Sequence, residues 1–291
     1  MKSGKSDPKT DCPRVEKGSA LELACKKVGA PIGTVKNKKY VLKHGDEKTK
    51  KQLKEKKITV GKAHKITKKK VKNAEHDKAV KKQAKNYKAD EDYKLYIGDC
   101  LDVTKKEIKE NSIDIIITDP PYPKEFIDCW SKLSELANYC LKPGGLCIAY
   151  SGQLNLPEVI ERMGKNLTYY WTMSLYHSGP KQVVHPTGAM CDWKPILIYQ
   201  KGPRKKAVGS FYDTIRDIKD VTKQDHKWQQ PVTVTKLLIE RFCDPGYTIL
   251  DPFVGSGTNM VAAKNLKYKC IGIDIDKENE NTIKARLAGE K

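Results

Sequence analysis

The sequence predicts an α/β protein, a mostly parallel sheet with helices on both faces, preceded by a small basic all-helical N-terminal region. Three observations carry this. From Tyr93 onward, short β-rich apolar runs alternate with helical stretches; before Tyr93 the apolar spacing is helical only; and nearly all the excess positive charge lies in that first part. Alternating strand and helix patterns are the mark of a parallel sheet covered on both sides.

The formal net charge is +20, with 28 Lys and Arg against 10 Asp and Glu in residues 1–90, and 28 against 26 in residues 91–291. Each cation that neutralises a phosphate releases condensed counterions, so a polyanion is one natural partner, and a solvated lysine-rich tail is the other reading of the same charge. Residues 1–17 mix Lys, Asp, Pro, Gly and Ser without apolar period and are expected to be a disordered basic tail. Residues 18–90 are expected to form a basic helical region and linker. Ala20, Leu21, Leu23, Ala24 and Val28 mark one helix closed by Gly29 and Pro31, and Val35, Tyr40, Val41 and Leu42 mark a second ended by Gly45. Asp46 starts a third, and Ile58–Ala63 leads into a fourth, with 67–89 an exposed helix or linker. Short basic helices joined by Gly-containing turns suit a helix-turn-helix-like DNA-binding unit.

In residues 91–291, strands are expected at Leu95–Ile97, Ile113–Thr118, Gly145–Tyr150, Leu167–Tyr176, Pro195–Tyr199, Thr248–Leu250 and Cys270–Ile273. Helices are expected at Phe126–Leu141, Leu156–Gly164, Thr233–Phe242, Thr258–Asn265 and Glu278–Leu287. Ligands of such sheets sit beyond the carboxyl ends of the strands, where strand order reverses, and two motifs fall at such ends.

The first is Asp119-Pro120-Pro121-Tyr122, directly after the strand Ile115–Thr118. Two prolines forbid both strand and helix interior, so the backbone leaves the sheet stiffly here. An aromatic amino nitrogen is a poor nucleophile, its lone pair being delocalised into the ring. Hydrogen bonds from its N–H groups to the Asp119 carboxylate and the Pro120 carbonyl would free that lone pair, while Tyr122 stacks on the base. A Pro-Pro turn with a capping Asp is the plainer reading. The second motif is Asp251-Pro252-Phe253-Val254-Gly255-Ser256-Gly257-Thr258, between the strand ending at Leu250 and a helix. Its glycines allow close approach to a ligand at a helix N-terminus, which suits a carboxylate. The next strand ends in Asp274-Ile275, with the acid placed to accept both hydroxyls of a ribose. The phosphate-binding pattern GxxxxGK[ST] is absent.

With these residues in view, 93–287 resembles the β-class amino-group DNA methyltransferases, in which the catalytic motif precedes the cofactor loop. The resemblance implies a Rossmann-like methyltransferase fold and transfer of a methyl group from S-adenosylmethionine to a flipped-out base in double-stranded DNA. It implies catalytic roles for Asp119, Pro120, Pro121 and Tyr122. Contact with the cofactor is implied for Asp99, Cys100, Asp119, Asp251, Pro252, Phe253, Gly255, Ser256, Gly257, Thr258, Asp274 and Ile275. Asp as the first motif residue favours adenine N6, whereas cytosine N4 enzymes favour Ser. His226-Lys227-Trp228-Gln229-Gln230-Pro231 resembles a family segment in which Lys is common where Gln230 stands. The family places target recognition in about 167–225, which holds Tyr169-Tyr170-Trp171, Tyr176-His177-Ser178-Gly179, His185-Pro186 and Pro203-Arg204-Lys205-Lys206; packing is the alternative role for these aromatics. Asp46–Ile66 resembles the helical segment of ParB-like partition proteins, found fused to methyltransferases of phage type.

Nine cysteines without CxxC or Cys/His ligand spacing argue against a metal site, and their odd number fits a reducing cytosol. No apolar run approaches the roughly 20 residues of a membrane span. A cytoplasmic, nucleoid-associated protein, phage-encoded in one version, is therefore expected. Homodimer formation and a partner restriction enzyme are left open. Direct transfer needs no cysteine nucleophile, so Cys129 and Cys191 are read as packing residues. The alternatives are cytosine N4 methylation, a DNA-binding regulator or partition-type protein with an inert methyltransferase fold, and methylation of RNA or a protein glutamine, where Asn more often comes first.

Overall fold

The computed structural model describes residues 29–176, 182–184, 187–204, 209–216 and 231–289, together with Glu22, Cys25 and Lys27. The tail 1–17, His177–Gly179, His185-Pro186, Lys205-Lys206, His226–Gln230 and most of the first expected helix lie outside the described residues. The chain divides into two compact units, 1–78 and 79–291.

The first unit holds helices α1 (Ile32–His44) and α2 (Glu47–Lys54) and most of α3 (Val60–Ala84). Among its described residues the buried apolar side chains are Cys25, Val41 and Ala63. Tyr40 of α1 stacks near His44 and edge-on to His64 of α3, and Lys70 of α3 pairs with Asp46 at 2.7 Å. Most of the described lysines of this unit are exposed. Residues 79–90 go with the second unit, where the Tyr87 hydroxyl donates to the carbonyl of Tyr93.

The second unit is built from strands β1 (Tyr93–Ile97), β2 (Ile113–Thr118), β3 (Leu141–Tyr150), β4 (Thr168–Tyr176), β5 (Gln182–Val184), β6 (Ala189–Cys191), β7 (Trp193–Gln200), β8 (Thr214–Arg216), β9 (Thr248–Asp251) and β10 (Lys269–Asp274). Its helices are α4 (Cys100–Glu107), α5 (Asp128–Cys140), α6 (Leu156–Gly164), α7 (Val232–Phe242), α8 (Thr258–Asn265) and α9 (Asn279–Gly289). The main sheet has eight strands in the order β1-β10-β9-β2-β3-β7-β4-β8, and β5 with β6 forms a separate hairpin. Within the main sheet every pairing is parallel except those of β7 with β3 and β4.

The central strand shows why the sheet is covered on both faces. Ile115 and Ile117 of β2 join a core with Leu238, Ile239 and Phe242 of α7, Met260 and Val261 of α8, and Ile283 and Leu287 of α9. Ile113 and Ile116 face the opposite core, with Trp130, Leu133 and Ala137 of α5 and Val159 and Met163 of α6. Over Ile115–Ile117 the period-2 alternation of the strand serves both layers because every residue is apolar, and Ile113 joins Ile116 because the register shifts between Ile113 and Ile115. Each fully buried large side chain contributes about 1.5–3 kcal/mol. The predicted α/β architecture stands. Helix α4, the β5–β6 hairpin and β8 are additions that the apolar pattern did not announce.

Candidate active site

Strands β2 and β9 are parallel neighbours, with Ile115 opposite Ile249 and Ile116 opposite Leu250. From this pair the chain winds outward both ways, β2 to β3 on one side and β9 to β10 on the other, which makes their boundary a topological switch point. Both motif turns leave the sheet there. Segments some 130 residues apart in sequence are thereby joined: the Thr118 hydroxyl donates to Asp251 Oδ1 at 2.7 Å. Asn259 of α8 completes the joint, its Nδ2 donating to Asp251 Oδ2 at 2.9 Å and to the Ile117 carbonyl at 3.0 Å, while its Oδ1 accepts from Thr235 at 2.8 Å. Asp251, Thr118, Asn259 and Thr235 are all buried. Burial pushes the Asp251 carboxyl up to about 7 despite the donors from Thr118, Asn259 and the Phe253 amide.

In the first turn Pro120 is buried, while Asp119, Pro121 and Tyr122 are half-buried. The Tyr122 hydroxyl donates to Asp119 Oδ1. Burial, and next to it the Asp119 charge, raise the Tyr122 phenol well above its ordinary value, so it stays a donor. Three residues hold the turn that the sequence did not single out. Asn155 Nδ2 donates to the Tyr122 carbonyl at 3.2 Å. Lys194 Nζ lies 4.8 Å from the centroid of the Tyr122 ring. Gly152 lies against that ring, so that a Cβ there would be 3.3 Å from Tyr122 Cβ.

The second turn uses Gly255 and Gly257 with positive φ, +50° and +85°, values that few other residues adopt. Pro252 is buried, Phe253 packs half-buried on the α5 side, and the Val254 amide donates to the Ile273 carbonyl at 3.0 Å, which ties the loop to β10. Gly272 of β10 lets α8 lie close, since a Cβ there would collide with Met260 Sδ. Arg286 Nη1 reaches the loop from α9, donating to the Ser256 carbonyl at 2.7 Å and to Ser256 Oγ and Thr258 Oγ1 at 3.2 Å each.

Asp274 ends β10, with Oδ1 accepting from the Asp276 amide at 2.7 Å and Asn279 Nδ2 at 3.2 Å; burial raises its pKa from the ordinary value. Ile275 beside it is 76% exposed. One strand over, the Gly98 amide donates to the Asp274 carbonyl at 2.8 Å, which brings Asp99 and Cys100 to the same rim. Asp99 caps α4 through the Leu101 and Asp102 amides and pairs with Lys132 at 2.6 Å. Burial opposes its ionisation, but the bonds from Lys132 and those amides outweigh it and lower its pKa. The buried Cys100 thiol is pushed up to about 12, mainly by desolvation, which keeps it protonated at neutral pH.

The residues singled out from the sequence thus converge on neighbouring strand ends: 119–122 beside 251–258, with 274–275 and 99–100 beyond. This arrangement fits S-adenosylmethionine. A loop with two left-handed glycines opens a helix N-terminus, and an acid with an exposed apolar neighbour follows at the next strand end. Among the described residues no group of His, Cys, Asp and Glu has the arrangement of a metal site, and no helix is long and apolar enough to cross a membrane.

Comparison with known proteins agrees with this geometry. The DNA methylase family model of the N6/N4 type matches residues 149–285. The Type II methyltransferase M.HpaI of Haemophilus parainfluenzae is 26% identical over 226 residues, 64% of this chain and 71% of that protein. The DNA adenine methyltransferase YhdJ of Escherichia coli is 28% identical over 235 residues, 62% of this chain and 78% of the relative. Among solved structures, the M1.HpyAVI–SAM complex superposes with a TM-score of 0.55 at 23% identity, covering 67% of this chain and all of that one, which shows a shared fold.

Fold, converging turns and family match define an S-adenosylmethionine-dependent DNA methyltransferase of the amino-methylating type. The N6/N4 model spans both target atoms, adenine N6 and cytosine N4.

Proposed function

We propose that the chain methylates adenine N6 in double-stranded DNA by direct in-line transfer to a flipped-out base. The observation that carries this reading is the junction at the switch point, where the Asp119–Tyr122 turn and the glycine loop leave adjacent parallel strands. When bound, S-adenosylmethionine supplies an electrophilic methyl group on a sulfonium. The chain's own residues do the rest. Asp119 and the Pro120 carbonyl accept the two amino N–H groups, which returns the lone pair to the nitrogen, and Tyr122 stacks on the base and holds it in line. Gly255, Ser256, Gly257 and Thr258, on a scaffold set by Asp251, Pro252 and Phe253, hold the amino-acid end of the donor. Asp274 takes the ribose hydroxyls, while Ile275 and the Asp99–Cys100 segment border the adenine.

Adenine is favoured because Asp119 is the first motif residue, and because a relative of this chain is named a DNA adenine methyltransferase. The cytosine N4 reading rests on the family model's spanning both. Digesting DNA after incubation with labelled donor is expected to yield N6-methyladenine. N4-methylcytosine would replace the reading with its alternative, and unlabelled DNA would remove both.

The recognition interval follows as part of the same proposal. Tyr169, Trp171 and Tyr176 are exposed on β4, Val183 and Met190 stand exposed on facing strands of the hairpin, and Trp193 opens β7 three residues after Met190. Basic helices of the N-terminal unit, whose 46–66 stretch resembles ParB-like proteins, contribute phosphate contacts. Lys68, Lys69 and Lys72 are exposed on α3. Changing these three to Gln is expected to lessen the slope of log binding constant against log salt by about 2–3, read by fluorescence anisotropy on duplex DNA. An unchanged slope would assign the helix a solvated role.

A further inference from the structure

We infer that Arg286 is a positioning residue for the carboxylate end of the methyl donor, acting through Ser256 and Thr258. The inference deepens the proposed function and rests on the glycine loop being the donor site. Arg286 lies in the last helix, far in sequence from either motif, and is only 9% exposed. Burying a guanidinium is costly unless its N–H groups find acceptors. Here they find the Ser256 carbonyl at 2.7 Å, Ser256 Oγ at 3.2 Å and Thr258 Oγ1 at 3.2 Å. All three belong to the bend that opens α8.

The neighbouring turn of α9 completes the clamp. Ile283, three residues earlier and so on the same helical face, lies against Gly257, where a Cβ would be 3.2 Å from Ile283 Cγ2. Gly257 is the left-handed residue that starts α8, and its amide donates to the Val254 carbonyl at 2.8 Å. Helix α9 therefore presses the loop with an apolar side chain and pins it with a cation. An apolar residue in place of Arg286 could fill the space but would leave the Ser256 carbonyl without this donor. The first-turn N–H groups of an α-helix have no intrahelical acceptors, and they are the groups a carboxylate uses. Fixing the Ser256–Thr258 segment fixes where those groups point, and the arginine's charge adds to the positive end of α8.

The test separates this role from plain scaffolding by using two ligands that differ only at that end. S-adenosylhomocysteine carries the amino-acid arm, whereas 5′-methylthioadenosine keeps adenine, ribose and thioether but lacks it. Binding to the full chain is measured by calorimetry for wild type, Arg286→Ala and Arg286→Lys. Arg286→Ala is expected to weaken S-adenosylhomocysteine about tenfold, in the range of a lost charged hydrogen bond, and to leave 5′-methylthioadenosine within about twofold. Arg286→Lys, which keeps the charge but loses the planar fork, is expected to fall between, and it carries the comparison should Arg286→Ala not fold. Equal losses for both ligands would reduce Arg286 to scaffolding, and no loss for either would remove it from the site. A wild type that binds neither ligand would overturn the donor site itself, and the inference with it.

Discussion

Asp119→Ala is expected to lower the methyl-transfer rate by about 10³-fold, while leaving donor and duplex DNA binding within a few-fold of wild type. The magnitude is that of removing one positioned acceptor from the reacting nitrogen. Binding survives because the proposed function gives it to other groups: the donor to the loop 255–258 and to Asp274, the duplex to the recognition interval and the basic helices. Asp119 also accepts the Tyr122 hydroxyl, so its loss frees the Tyr122 side chain. Tyr122→Phe is the matched control. It keeps the ring beneath Lys194 and against Gly152, gives up only the bond to Asp119, and should cost no more than about tenfold. Single-turnover rates with saturating donor, beside anisotropy titrations, decide the matter. Equal loss of rate and DNA binding would make Asp119 a structural residue of the turn. A retained rate would move the chemistry elsewhere.

The motifs were legible because each is short, local and chemically constrained. Asp119–Tyr122 and 251–258 announce their turns through prolines and glycines that permit little else, and Ile113–Thr118, Leu156–Gly164 and Thr258–Asn265 appear with the bounds expected of them. What stayed illegible was whatever depends on tertiary neighbours. Lys194, Gly152 and Asn155 carry no signal in the sequence, because their value lies in meeting Tyr122. Arg286 reads as an ordinary surface cation at the end of an amphipathic helix until α9 is docked. The fourth expected helix and the stretch 67–89, read as an exposed helix or linker, form one continuous helix, α3, from Val60 to Ala84. Lysine is a good helix former, and a long helix needs few apolar positions where one end packs and the rest is solvated. Helix α4 follows Gly98 so closely that its cap, Asp99, passed for a ligand-binding acid alone; the structure commits its side chain to two amides and Lys132. Asp251 likewise sits in the sequence among ligand-facing residues, and proves to be buried with donors from Thr118, Phe253 and Asn259.

That burial gives Asp251 the largest expected effect on stability. Asp251→Ala strands the Thr118 hydroxyl, the Phe253 amide and one Asn259 donor in a buried joint, and opens a small cavity. A cost of about 3–5 kcal/mol is expected, read as a lower urea midpoint. Under the proposed function activity should fall with it, because the same carboxylate ties the strand before the Asp119–Tyr122 turn to the glycine loop. The pH dependence has a definite sign. Burial lifts the folded carboxyl to about 7, above its ordinary value of 3.8. The folded state therefore holds this proton more tightly than the unfolded chain. The stability gained that way is complete below about pH 4, declines as the unfolded chain ionises first, and is gone once the pH passes about 7. Asp251→Asn cannot ionise, and its amide sets a donor against Asn259 Nδ2. It is expected to start less stable than wild type in acid and to close much of the gap by pH 8. A gap that widens with pH would mean that the three donors outweigh burial, and that Asp251 enters the fold as a fully ionised anchor.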